Sequence, residues 1–479
     1  MSLTRKIAYN TAWQATGKIL GTILGFFVAV VLYNYLGVQY DAYTTVLAYL
    51  QLFSIVVDLG LYVVLLKRIA MDDEQHTFTN NVITLRFISA IVFLTAGCFL
   101  VWLIPMYSTE VKIGVVVVAA NFFFITMNQL LMGIYQHHLA TQRIALAEIL
   151  GKTMLFGLTL FVVYVWHGGL YAVLLTLVLS GAVNFGLLWV GLKRFGGIKL
   201  TFNFAIWKKI ILESWPIAVA VALNVVYFKA DTIILSLFKP ADVGTYGFPY
   251  KILEVIITLP AILVGLLMPK LSTEYLKHNL TRFRELYQRS FYALCMLAMP
   301  MMVGAAIIAH PLMDSIVTKP ELRARIGDLG NLLQILMLAV GMIFLGTLSG
   351  YVVVIVNKQR QIIWGYLFVA VIALIGYLYF IPRYSYYGAA WMTVCSETLM
   401  MLISTVIIYR ASGAAPSLKS IWRVVLASLI MGGALLAVRA LPLIVLIMLG
   451  GIFYVLALVL VKGVSKADLI LLFSRKAKE

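Results

Sequence analysis

Four lysines, Lys18, Lys152, Lys229 and Lys251, stand inside stretches otherwise apolar enough to cross a membrane. An ammonium at bilayer depth costs at least roughly 2.5 kcal/mol, so such residues face a watery interior and mark a route for a charged substrate. Their sign points to an anion. Lysines lining a hydrated cleft would replace the water that phosphate-type oxygens lose on entering it.

Carboxylates accompany the lysines. Glu148 precedes Lys152 by one helical turn, a spacing that lets the two neutralise each other on one face. Lys251 and Glu254 are three residues apart near the middle of their stretch, too deep for easy snorkelling, and Pro260 downstream can kink the helix. Lys229 and Asp231 are two apart and point in nearly opposite directions, so they are not a simple same-helix pair, and Asp231 shares a face with Asn224 and Tyr227. Gln51, Ser54 and Asp58 form a polar stripe that has no reason to face lipid. Asp58 either pairs with a base such as Lys18 or carries a coupling ion. Glu397, one turn after Thr393, is a counter-charge or a proton site. Gly17, Gly21 and Gly25 form a close-packing seam beside Lys18, whose alternative is snorkelling to the nearby interface. Arg86 and Arg289 fall at the inner ends of two helices, where headgroup contact competes with capture of an incoming phosphate. The candidate substrate contacts are therefore Lys18, Lys152, Lys229, Lys251, Arg86 and Gln51. Asp58, Glu148, Asp231, Glu254 and Glu397 are the candidate coupling or counter-charges. Cys98, Cys295 and Cys395 lie within apolar stretches and read as small apolar residues, and the pair His137, His138 is too few for a metal site.

The elements that carry these residues follow from composition. Of 479 residues, 63% are hydrophobic and only 12% charged, with a mean hydropathy of +0.99. A water-soluble core cannot absorb so much apolar surface. About fourteen stretches, from residues 11–36 to residues 442–461, reach the roughly 20 residues needed to cross a hydrocarbon core of about 30 Å. The expected fold is an all-α integral membrane protein. The first stretch is too long for a cleavable signal and lacks a small-residue cleavage site, so it is retained as a helix.

Most of the 37 basic residues fall in alternate connections and in the tail, which predicts both termini on the cytoplasmic side. The net charge of +18 is spread over many short loops, which argues against nucleic acid and for anionic lipid headgroups.

A shift of about 203 residues lays the first two helices on the seventh and eighth. It pairs Leu32 with Leu235, Tyr35 with Phe238, Tyr43 with Tyr246, Lys67 with Lys270 and Arg86 with Arg289. Six helices per copy is an even number, so the copies enter the membrane from the same side and are related by an axis along its normal. The predicted organisation is a lobe at 1–200, a pseudo-symmetric lobe at 201–411, and two appended helices with a tail at 412–479. The aromatic and basic segment from Lys193 to Lys209 is the inter-lobe linker.

The stretch from Asn10 to Ala70 (YLGVQYDAY, VVDLGL, LLKRIA) and the stretch from Ala230 to Ser272 (ADTIILSLF, ADVGTYGFPYKILEVI) resemble the two lobe openings of the Wzx-like oligosaccharide and polysaccharide flippases. These belong to the multidrug/oligosaccharidyl-lipid/polysaccharide (MOP) exporter superfamily. One position departs from the pattern: Asp41 stands where glycine is common, as at Gly244 in the second copy. The resemblance implies a polyprenyl-diphosphate-linked oligosaccharide as substrate and alternating access as mechanism. It implies no cofactor beyond a coupling H+ or Na+, a monomer among membrane lipids, and a glycan polymerase and assembly proteins as partners. It also implies residence in the cytoplasmic membrane of a prokaryote.

Two other classes bear on the same residues. An H+- or Na+-coupled antiporter of organic cations would favour carboxylates and aromatics, whereas lysines and acids are here nearly balanced. A membrane glycosyltransferase or polymerase would need a sizeable outside loop, whereas the longest, about residues 311–327, is short and holds no nucleophile and base. The chain is therefore expected to be a transporter and not an enzyme.

Overall fold

The computed structural model describes residues 3–58, 60–69, 75–195 and 197–463. The basic tail beyond residue 463 and the side chains of Asn224 and Tyr227 lie outside the described set. The described residues form helices joined by short turns, with no strand. In chain order they are α1 (Leu3–Leu36), α2 (Tyr40–Asp58), α3 (Leu61–Ile69), α4 (Gln75–Leu100) and α5 (Thr109–His137). Then follow α6 (Thr141–Phe161), α7 (Leu170–Gly191), α8 (Phe204–Phe238), α9 (Val243–Ile256) and α10 (Thr258–Leu276). The last are α11 (Leu280–Ile316), α12 (Ile326–Ile355), α13 (Gln359–Ser412), α14 (Leu418–Ala437) and α15 (Leu443–Leu460).

Ten segments among the described residues are long and apolar enough to cross a membrane. Two of these, Thr16–Ile69 and Gln359–Ser412, each run 54 residues. As straight helices they would extend about 80 Å, far beyond the hydrocarbon core, so each holds two crossings. The first turns at Gly37, which has φ 59°; the second breaks at Ser385, with φ 49° and ψ −133°. With α8 and the shorter α14, the described crossings come close to the expected fourteen.

Two expected crossings are interrupted in mid-course, each for a local reason. Gly60, at φ 69°, stops α2 and restarts the chain as α3 in a backbone region that costs a residue with a Cβ. Pro260 divides α9 from α10: its ring would collide with the carbonyl four residues earlier, at Ile256, where α9 ends. The anticipated kink is thus a break at Ile257.

The chain packs as two compact units, Met1–Lys251 with Ala370–Ala389, and Ile252–Val369 with Ala390–Glu479. The sequence repeat placed a boundary near residue 200, but α8 and most of α9 pack with the first six crossings. The core of the first unit gathers Leu61, Leu65, Ile83, Met127, Leu130, Tyr135, Leu188 and Ile210, all under one-tenth exposed. In the second, α14 and α15 pack on α11 through Val424, Ala427, Ala457 and Leu458. Large apolar side chains remain outward, including Phe99, Leu103 and Trp166 in the first unit and Trp364, Ile444 and Leu460 in the second. Lipid is the solvent that makes this arrangement stable.

The inter-lobe linker is fastened to the end of α4. Asn80, Thr84 and Asn81 side chains accept backbone N–H groups of Lys199, Thr201 and Asn203 at 3.2, 3.0 and 3.1 Å. Three irregular peptide donors are satisfied by one helix.

Candidate functional site

Helices α1 and α6 bring the first cationic pair together. The small residues of α1 permit it: a Cβ on Gly17 would lie 2.9 Å from the Ala145 Cβ, and one on Gly21 would lie 3.3 Å from Glu148 Oε1 and 3.5 Å from Lys152 Cγ. Gly25 has no neighbour this near, so the seam covers two of the three glycines. Glu148 sits in the fields of both Lys152 and Lys18. One carboxylate thus serves two ammonium groups. Lys152 is half-buried and Lys18 exposed.

The second pair stands on α8 and α9. Lys229 places its ammonium 4.8 Å from the centre of the Tyr250 ring, a cation–π contact, and its charge also acts on the Asp231 carboxylate. Lys251 is the next residue, also half-buried. Tyr246, one turn before Tyr250, donates its hydroxyl proton to Asp231 Oδ2 at 2.6 Å, and Asp231 Oδ1 accepts from the Thr232 N–H at 2.5 Å and the Thr232 hydroxyl at 3.1 Å. Asp231 is therefore a buried structural acceptor that joins α8 to α9. Glu254 lies one turn beyond Lys251 on α9.

Asp58 and Arg86 have a role that the spacing alone did not give. Asp58 pairs with Arg86 at 2.5 Å, not with Lys18. Arg86 is fully buried, and all five of its donors are used. Nη1 reaches Asp58 Oδ1 and the Val57 carbonyl; Nη2 reaches Gln129 Oε1 and the Thr126 carbonyl; Nε also donates to Thr126. The α2 helix ends at Asp58, leaving bare carbonyls and a negative dipole end beside a carboxylate. The guanidinium compensates both. The expectation that Arg86 meets phosphate at the inner mouth is corrected on this ground, since no donor is left. Arg289, its counterpart in the repeat, is largely exposed and pairs with Glu285 at 2.5 Å. On the same polar stripe, Gln51 is half-buried and its carbonyl accepts from the Ser54 hydroxyl at 2.7 Å.

In the second unit Glu397 is buried, with Thr393 and Ser396 buried beside it, and its field reaches the Tyr366 hydroxyl.

Two contacts that the sequence reading missed join the crossing of α2 and α3 to α8 and α9. At one end Asp41 Oδ1 accepts the Gly244 N–H at 2.6 Å. At the other, Arg68 forms a two-pronged pair with Glu213, with Nε to Oε2 at 3.1 Å and Nη2 to Oε1. The crossing made of α2 and α3 is thus tied to α8 and α9 at both extremities. A signal for the first tie existed: Asp41 broke the glycine pattern at the position that the repeat aligns with Gly244. Nothing in the spacing announced the second.

Residues 7–274 match the family model of the polysaccharide biosynthesis proteins. The chain belongs to that family. Residues 216–378 also match the MatE model. No curated protein is a significant match in sequence. The fold is similar to that of the lipid II flippase MurJ in an inward closed conformation, with a TM-score of 0.81 at 14% identity over 95% of this chain and 99% of that one. An inward-facing multidrug resistance MATE family transporter of the MOP superfamily gives 0.64 at 14% identity over 84% and 95%. A MOP superfamily transporter from Pyrococcus furiosus gives 0.58 at 14% identity over 84% and 94%. This family member is a multi-pass membrane protein of the MOP superfamily of flippases and exporters.

Proposed function

We propose that the protein flips a polyprenyl-diphosphate-linked oligosaccharide across the cytoplasmic membrane of a prokaryote, for assembly of a cell-surface polysaccharide. The observation that carries this reading is the meeting of Lys18 and Lys152 at Glu148, where α1 and α6 pack closely at Gly17 and Gly21. A second pair of lysines, Lys229 over the Tyr250 ring and Lys251 beside it in sequence, supplies further cationic groups. A diphosphate supplies the opposite charge, and lysines stand in for the water it loses. The polyprenyl tail stays in lipid while the headgroup passes.

The step is alternating access, with no covalent chemistry. With both termini cytoplasmic, the headgroup loads from inside and leaves outside. An inside-negative potential favours outward movement of an anion, at about 2.3 kcal/mol per charge per 100 mV, so the substrate's own charge contributes to the drive. Asp58 and Asp231 act as structural acceptors in this conformation; together with the buried Glu397 they are the candidate coupling sites for H+ or Na+. A glycan polymerase and assembly proteins would receive the product.

Depletion of the protein tests the substrate: a lipid-linked glycan should accumulate on the inner leaflet, and its mass identifies the cargo. Absence of any such intermediate sinks the proposal. The match of residues 216–378 to the MatE model favours a second reading, an ion-coupled exporter of organic cations. Uptake of a fluorescent cation by inverted vesicles would support that reading, and its absence beside an accumulating glycan lipid would remove it.

A further inference from the structure

A cleft in the second unit has the chemistry of a lipid site. It measures about 670 Å³ and is lined by Lys358, Gln361, Trp364, Leu402, Val406 and Arg410. The two crossings of α13 approach closely at Gly365, where a Cβ would lie 2.8 Å from Ile403 Cγ2. From there toward the ends that carry Lys358 and Arg410 they leave the cavity between them. Its apolar wall faces outward: Trp364 is 71%, Leu402 50% and Val406 47% exposed. Its rim holds two cations. Among the described residues, neither Lys358 nor Arg410 takes part in an ion pair. Lys358 is also the N-cap of α13, so the positive end of a helix adds to their field.

A wall of exposed Trp, Leu and Val below two unneutralised bases matches a phosphate diester attached to an acyl chain. Basic pockets between crossings at the interface are the places where anionic headgroups bind. A zwitterionic lipid brings its own cation to the rim and gains less.

We propose that this cleft holds one anionic phospholipid, its phosphate between Lys358 and Arg410 and an acyl chain along Trp364, Leu402 and Val406. The positive-inside distribution assigns that lipid to the cytoplasmic leaflet. The site is independent of the transported substrate, because none of its residues belongs to the cationic pairs of the first unit.

Native mass spectrometry of the full chain, with phosphatidylglycerol or phosphatidylcholine added, reads the proposal directly. The wild type should retain phosphatidylglycerol with a preference of roughly tenfold or more, as expected for two cations near the surface. The Lys358→Gln/Arg410→Gln variant should lose that preference. Equal retention by wild type and variant overturns the proposal, as does displacement of the lipid by millimolar inorganic phosphate, which would make the rim a free-anion site. A second measurement leaves the charges untouched: the Trp364 component of the fluorescence, obtained by difference from Trp364→Phe, should be quenched more by brominated phosphatidylglycerol than by brominated phosphatidylcholine. Equal quenching by the two lipids also overturns it.

Discussion

The Asp41 carboxylate caps the backbone N–H of Gly244 at 2.6 Å across a separation of 203 residues, the same shift that superposes the two copies of the sequence. Equivalent positions of the repeat therefore touch. Both lie in the first turns of their helices, α2 and α9, where two positive dipole ends converge. One carboxylate stabilises both ends, and Gly244 leaves room for it: a Cβ there would lie 3.0 Å from the Asp41 nitrogen.

One turn further, Thr44 and Gly247 face each other, and a Cβ on Gly247 would stand 3.6 Å from the Thr44 Cβ. That spacing suits a disulfide. In a background with Cys98, Cys295 and Cys395 replaced by Ala, Thr44→Cys/Gly247→Cys should cross-link on mild oxidation. Under the proposed alternating access, with α2 and α9 parting, export should stop when the bond forms and return with reductant. Full export by the oxidised protein would contradict such parting.

Arg86→Ala leaves the Asp58 carboxylate buried beside the bare end of α2, a loss of about 3–5 kcal/mol. The thermal unfolding midpoint in detergent should fall accordingly. Adding Asp58→Ala should recover part of the loss, and the double-mutant cycle gives the coupling. Arg289→Ala, at the matching but exposed position, should leave the midpoint unchanged.

Tyr250→Phe keeps the ring beneath Lys229 and should preserve export. Tyr250→Leu removes the ring and about 0.5–2 kcal/mol of attraction for the ammonium, so export should fall while expression and folding hold. Lys229→Ala/Lys251→Ala should abolish export altogether. An export assay by complementation orders the four proteins, and wild-type activity in the double variant would remove the cationic pairs from the mechanism.

Replacing Asn80, Asn81 and Thr84 together by Ala frees three peptide groups of the linker, at about 1 kcal/mol each. Chymotrypsin should then cut faster at Phe202, which is already 63% exposed. Unchanged cleavage would show that apolar contacts of Ile198 and Trp207 suffice to hold the segment.

The sequence by itself determined the solvent and the all-helical class. Hydropathy over 20 residues and the 3.6-residue period are local quantities, and local spacing also anticipated the close packing at Gly17 and Gly21 and a kink at Pro260, which the structure deepens into a break. Tertiary structure decided which charge meets which. Asp58 takes Arg86 and not Lys18, Glu148 lies between two lysines, Asp41 caps a helix 203 residues away, and Arg86 turns from an open base into a saturated tie while Arg289 stays outside. A period fixes the face of a residue on its own helix. The partner across the interface depends on the depth and rotation of a second helix, which packing sets.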